Sequence, residues 1–204
     1  MNKYRQILEQ RKGQHSHIEK QLHYHKGNLN VLNEYKENLE KAQAIIQIVA
    51  QATQEEFKYQ ITELVSLAEA AVFDDPYELD IEFVQKRNQT EANLWFVREG
   101  ERIHPLSASG GGAVDVAAFA LRVSLWSLLK PKSRPILILD EPFSRLKGED
   151  ANVKVIQMVK EVSQQLGLQI IMISDERVPL HDIEAGADKV FKVSIKKGIS
   201  QITT

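Results

Sequence analysis

Asp140 and Glu141 are adjacent carboxylates that follow the apolar run Ile136-Leu137-Ile138-Leu139 and precede Pro142. Two carboxylates at the carboxyl end of a buried strand are costly to desolvate unless a cation or a reacting group uses them. The chemistry open to such a pair is metal-assisted phosphoryl transfer, the first carboxylate holding the shell of a magnesium ion and the second polarising an attacking water. The competing reading is a solvated acidic turn; the unbroken apolar strand and the proline weigh against it. A second candidate is Ser109-Gly110-Gly111-Gly112, immediately before an apolar helix. Bare N–H groups, a serine hydroxyl and the positive end of a helix suit phosphate oxygens. Glycine-rich turns also occur where chains cross closely, and that alternative stays open. Nowhere in the chain does a glycine loop end in the Lys-Ser or Lys-Thr pair of the Walker A pattern, which restricts function more than any motif present.

Several elements must position these residues. Ile136–Leu139 is apolar on both faces and reads as a central parallel strand. Val114–Leu129 reads as a helix buried on most sides. A helix over Asp150–Gln165 carries Val153, Ile156, Val159 and Val162 on one side, with Gly167 as its cap. Gln169–Ile173 is a second buried strand, followed by Ser174, Asp175 and Glu176. Polar residues just past the strand ends of a strand–helix–strand unit stand where open α/β sheets place ligands. Pro179–Gly186 reads as a short helix, and Lys189–Ile195 with Ile199–Thr203 as a hairpin turned at Lys197 and Gly198.

Upstream, Leu79–Lys86 and Glu91–Val97 alternate as strands joined through Arg87–Thr90, with Trp95 or Phe96 facing the core. Residues 18–71 contain no proline and repeat apolar positions in steps of four and three, among them Ile18, Leu22, Leu29, Leu32, Leu39 and Ile46. Such spacing keeps one seam facing a partner helix. Asp74, Asp75 and Pro76 end it. A helix of that length runs about 80 Å, whereas a globule of this size has a radius of gyration of about 17 Å. The helix is therefore expected to project or to break, with Gly27 the weak point. Its coil partner is expected from another chain or from a part of the natural protein missing here; the competing reading is an ordinary long core helix. The expected division is an arm over 1–74 and a head over 75–204.

Composition sets outer limits. The 204 residues are 43% hydrophobic and 26% charged, which excludes wholesale disorder. Lys plus Arg number 26 against 28 Asp plus Glu, net −2, so a whole-chain basic footprint for nucleic acid is missing. No apolar run approaches the roughly 18 residues of a membrane span, and no apolar leader opens the chain. Cysteine is absent, and a reducing, cytoplasmic compartment is the default expectation. His15, His17, His23 and His25 read as a solvated helix face more readily than a metal site. Lys189, Lys192, Lys196 and Lys197 read as protection of a sheet edge more readily than phosphate contacts.

The glycine loop, the apolar helix, Leu139-Asp140-Glu141-Pro142 and the strand ending at Ile173 together resemble the C-terminal lobe of an ABC-type P-loop ATPase head. The long preceding helix narrows the likeness to the SMC-like branch, and within it the chain resembles the SbcC-type ATPase of DNA double-strand-break repair, phage relatives included. The resemblance covers residues from about 55 to 204. It implies an α/β half-head with a projecting N-terminal coiled-coil helix. It makes Ser109, Gly110, Gly111 and Gly112 the signature loop that grips the γ-phosphate of ATP on the opposite subunit, Gly112 replacing the usual polar residue. It implies Asp140 as the Walker B magnesium carboxylate and Glu141 as the general base. Ser144, Arg145, Leu146 and Lys147 take the D-loop, Lys147 standing where aspartate is usual, and Asp175 takes the switch-histidine position. Also implied are ATP and Mg2+ shared with an N-terminal Walker A lobe, a second copy of the head, a nuclease subunit, double-stranded DNA, and no membrane. Lys147, Asp175 and the missing Walker A loop favour a second reading, an ATPase-like coiled-coil assembly protein that no longer turns over. A third is an SMC-like ATPase of a defence or chromosome-organising system.

Overall fold

A computed structural model describes residues 2–87, 89–174, 177–196 and 198–203. The proline-free apolar repeat forms one helix, α1 (Asn2–Val72), which runs through Gly13 and Gly27 without a break. The chain divides into two compact units, Met1–Thr53 and Gln54–Thr204. In the first, every side chain from Lys3 to Thr53 is exposed, the apolar stripe of Ile18, Leu22, Leu29 and Leu32 included. That division falls inside α1. Within the second unit the last turns of α1 bury Ile61, Val65, Glu69 and Val72, and so belong to the core and not to the arm.

The rest of the second unit begins with an antiparallel sheet of β1 (Glu78–Lys86), β2 (Gln89–Arg98) and β3 (Glu101–Ile103), in that order. Pairing of Lys86 with Gln89 leaves a connection shorter than Arg87–Thr90; Asn88 in it lies outside the described residues. Phe96 is the buried aromatic and stacks on Tyr77 with ring centroids 5.0 Å apart, while Trp95 is half-buried. The third strand has no alternating signature, being three residues long.

A short helix, α2 (Pro105–Ala108), leads to α3 (Gly111–Leu128). Helix α3 serves two cores at once. Val116, Phe119 and Val123 join Val72, Leu139, Val155 and Leu168, whereas Ala113, Ala117 and Ala120 join Ile61, Val65, Leu79 and Phe96. That double duty explains its nearly continuous apolar sequence. By length and composition α3 alone among the described helices is apolar enough to cross a membrane, yet 44% of it is buried inside the fold.

Beyond it come β4 (Ile136–Asp140), α4 (Glu149–Leu166), β5 (Gln169–Ile173) and α5 (Leu180–Gly186), then a hairpin of β6 (Lys192–Lys196) and β7 (Ile199–Thr203). Lys197, in the expected turn of that hairpin, lies outside the described residues. Helix α4 ends where Gly167 takes a left-handed conformation (φ 63°) that glycine adopts without a Cβ penalty. Strands β4 and β5 are parallel, Ile138 opposite Ile171 and Asp140 opposite Ile173. Leu137, Leu139, Ile170 and Met172 turn to the core, but Ile136, Ile138, Ile171 and Ile173 are exposed. The strand expected to be buried on both faces is thus covered on one. Helices α3 and α4 supply that cover, and no described residue covers the other face.

Candidate functional site

Strand β4 delivers the acidic pair to its carboxyl end. By the two-residue period of a strand, Asp140 shares its face with Ile136 and Ile138, which is the uncovered one. Glu141 leaves the strand with φ 40°, a left-handed conformation that a residue with a side chain adopts at a cost. Its N–H donates to the Ile173 carbonyl at 3.0 Å, and its own carbonyl accepts the Ser144 N–H at 3.2 Å. Both carboxylates are exposed, so the desolvation cost argued from sequence is not incurred within this chain. Glu141 lines a pocket together with Ser144, Asn152, Met172 and Ser174.

The glycine loop is tighter than its sequence suggests. His104 precedes α2 and its Nδ1 accepts the Leu106 N–H at 3.3 Å. Ser109 follows α2, its hydroxyl donating to the Pro105 carbonyl. Gly110 is the N-cap of α3, and Gly111 and Gly112 already lie in the first helical turn, three residues ahead of the expected start at Val114. The N–H groups of a first turn have no partner within their own helix. A methyl at Gly111 would meet Arg145 Cβ at 2.8 Å, and one at Gly112 would meet Leu146 Cδ1 at 2.9 Å. The close chain crossing left open from sequence therefore accounts for these two glycines, while a methyl at Gly110 meets nothing within 4 Å.

The neighbour that presses on them is the segment Ser144–Lys147. Leu146 is buried, and Lys147 is exposed. The backbone N–H of Arg145 donates to Asp115 Oδ2 at 2.9 Å, and its guanidinium to Asp115 Oδ1 at 2.5 and 3.0 Å. Hydrogen bonding and charge from Asp115 raise the Arg145 pKa further above its ordinary value. The Arg177 guanidinium donates to the Ser144 carbonyl. Ser109–Gly112 and Ser144–Lys147 are thus brought together, and Glu141 is tied to the end of β5. Asp175, expected nearby, lies outside the described residues. Among the described residues no group of three His, Asp or Glu side chains is placed to hold a metal by itself.

Two carboxylates emerge that sequence patterns did not single out. Asp115, 7% exposed, anchors Arg145 from 30 positions away. Glu69 is wholly buried on α1; burial pushes its carboxyl up to about 8, against a weaker opposing pull from the Arg98 charge. The available signal for each was a charged residue inside an apolar helical stretch, which gives no partner.

No protein-family model matches the sequence, and no curated protein sequence matches it. Solved structures do match the fold. A chain from work on ATP-driven dimerization and DNA-stimulated activation of SMC ATPases aligns with a TM-score of 0.54 at 19% identity, over 75% of this chain and 87% of that one. An SmcHead bound to the C-winged helix domain of ScpA gives 0.55 at 21%, over 77% and 44%. A Pyrococcus furiosus Smc head with an extended coiled coil, bound to the C-terminal domain of ScpA, gives 0.52 at 19%, over 79% and 40%. This chain therefore spans less than half the length of the latter two. The fold is that of a mixed α/β P-loop-ATPase head of the SMC type, with a long N-terminal helix of coiled-coil kind.

Proposed function

We propose that this chain is the C-terminal lobe of an SMC-type ATPase head, and that it hydrolyses ATP only when a lobe bearing a Walker A loop covers the outer face of β4 and β5. The observation that carries this reading is the company Asp140 keeps, on one uncovered face with Ile136, Ile138, Ile171 and Ile173. Parallel strands are normally covered on both faces, and burying such side chains is worth about 1.5–3 kcal/mol each. A lobe seated there carries its phosphate loop to the acidic end of the strand.

The residues fit magnesium and nucleotide in kind. Magnesium takes one or two carboxylates and completes its shell with water and phosphate oxygens, and Asp140 and Glu141 offer accessible carboxylates. Magnesium-bound ATP, when present, supplies the electrophilic phosphorus and the positive charge beside it. Asp140 would hold the shell of a bound magnesium, and the Glu141 carboxylate would accept the proton that water gives up as its oxygen bonds to the γ-phosphorus and the bond to ADP breaks. Ser109 and the N–H groups of Gly110, Gly111 and Gly112 would hold phosphate oxygens of a nucleotide bound on a second copy of the head. Since the Ser109 hydroxyl now donates to Pro105, it must rotate away to donate to phosphate. The exposed seam of residues 18–53 pairs with another helix as a coiled coil.

At the finer level the motif resemblance supports an SbcC-like role in DNA break repair, with a nuclease subunit and double-stranded DNA as partners. Similarity to heads solved with ScpA favours a second reading, an SMC-like head served by a ScpA-like protein. The deciding experiment mixes the full chain with the N-terminal lobe of an SMC-type head and follows ATP turnover and light scattering. Turnover is expected in the mixture and from neither lobe alone, with a loss of about a hundredfold or more in Glu141→Gln. Ile138→Lys is expected to abolish association. Association without turnover would establish a silent head, and failure of the lobes to associate would sink the reading. Pull-down by a purified nuclease subunit, or by a ScpA-type winged-helix domain, separates the two partner readings.

A further inference from the structure

Asp115 does more than neutralise an arginine. It lies in the second turn of α3, a few residues past the glycine loop, and is 7% exposed. It accepts both the backbone N–H of Arg145 and its guanidinium, so it fixes main chain as well as side chain. The same contact seats Arg145 on Gly111 and Leu146 on Gly112, closely enough that neither glycine has room for a Cβ without displacement. From Arg145 the connection continues by short steps. The Ser144 N–H donates to the Glu141 carbonyl at 3.2 Å, the Leu146 N–H to the Phe143 carbonyl at 3.0 Å, and the Glu141 N–H to the Ile173 carbonyl at 3.0 Å. The Arg177 guanidinium donates to the Ser144 carbonyl as well.

We propose that Asp115 is a positioning residue that locks segment Ser144–Lys147 onto the first turns of α3, so that the glycine loop and the Glu141 carboxylate move as one body. Phosphate seated on Ser109–Gly112 then sets where Glu141 stands. The inference rests on the reading of Glu141 as the general base, and it adds how the loop and the base are coupled. Arg145 supplies the other half of the lock. Its charged, forked contact with a nearly buried carboxylate is stronger than a neutral hydrogen bond and fixes geometry as well.

The test has two arms. In the first, hydrogen exchange is measured on the full chain and on Asp115→Asn. The amides of Ser144 and Leu146 are the probes, because each bonds inside its own turn and loses no direct partner in the variant. They are expected to exchange about tenfold faster or more, while amides of Val155 and Met158 in the core stay unchanged. The double variant Asp115→Asn with Arg145→Gln, which restores a neutral hydrogen-bonding pair, is expected to recover part of the protection. Unchanged probes in a folded Asp115→Asn chain overturn the lock. In the second arm, ATP turnover is measured with the full chain and the Walker A lobe. Asp115→Asn is expected to lower kcat about tenfold with KM altered less than about twofold. Loosened probes with unchanged kcat overturn the positioning role. A wild-type mixture that associates but never turns over defeats the general-base reading and the positioning role with it, while the first arm still decides the lock.

Discussion

Glu69 has no exposed surface, and neither carboxylate oxygen has a hydrogen-bond partner, nor has the buried Nε of neighbouring Arg98. A charge in that position is so unfavourable that the group keeps its proton up to about pH 8, against an ordinary value of 4.5. Between those values the folded chain holds a proton that the unfolded chain has released. Stability therefore falls as pH rises from 4.5 towards 8 and is level on either side, as far as this group is concerned. The shift corresponds to several kcal/mol, on the order of 1.4 kcal/mol per pH unit. Glu69→Gln is expected to be near neutral in stability at pH 5 and to stabilise by about 2 kcal/mol or more at pH 8. Urea denaturation at the two pH values checks this, and parallel pH profiles for both proteins would refute it. Glu141 stores a different cost, a left-handed backbone. Asparagine tolerates that conformation better than glutamate, so Glu141→Asn is expected to raise stability by about 0.5 kcal/mol while removing the proposed base. A variant no more stable than the parent in chemical denaturation would show that the turn carries no such cost.

Elements in this chain were readable in proportion to how local their causes are. The seam of α1, its stop at Asp74-Asp75-Pro76, the cap at Gly167 and the parallel pairing of β4 with β5 each follow from signals within a few residues. The start of α3 at Gly111 does not, because Gly111 and Gly112 owe their identity to Arg145 and Leu146, more than 30 positions away. The same holds for the open face of β4, whose isoleucines read as buried although no described residue covers them. The apolar run before Asp140 and Glu141 places them at a strand end from sequence alone; nothing local marks Asp115, because its partner comes from tertiary packing. Helix α5 depends on another such contact. A Cβ at Gly186 would lie 1.9 Å from Ile156 Cγ2 on α4, a β-branched carbon with little freedom to move. Alanine ordinarily gains about 1 kcal/mol over glycine in a helix, yet overpacking costs about 1–3 kcal/mol. Gly186→Ala is therefore expected to destabilise, and adding Ile156→Ala to relieve the crowding. Measured unfolding free energies that are simply additive in the double variant would show that the two residues do not meet.

At the scale of the whole chain the surface is too large for its mass. A folded monomer of 23.2 kDa exposes about 9,700 Å², whereas this chain exposes 15848 Å². Residues 3–53 contribute a helix with no buried side chain, and the outer face of β4 and β5 contributes its isoleucines. Both are apolar surfaces that no described residue covers. The core begins at Ile61, and what holds the last turns of α1 lies entirely beyond residue 53. Val65 and Val72 are buried, Ser66 accepts the Leu79 N–H at 3.0 Å, and Lys58 meets Asp80 at 2.6 Å. A protein consisting of residues 54–204 is therefore expected to fold cooperatively, with an unfolding free energy within about 1 kcal/mol of the full chain, since it loses only exposed helical contacts. Chemical denaturation of both at low concentration makes the comparison. A loss of several kcal/mol would mean that the first 53 residues pack against something in solution even without a partner chain. An unchanged value, with self-association of the full chain lost in the shorter one, would assign the exposed seam of α1 to contacts between chains.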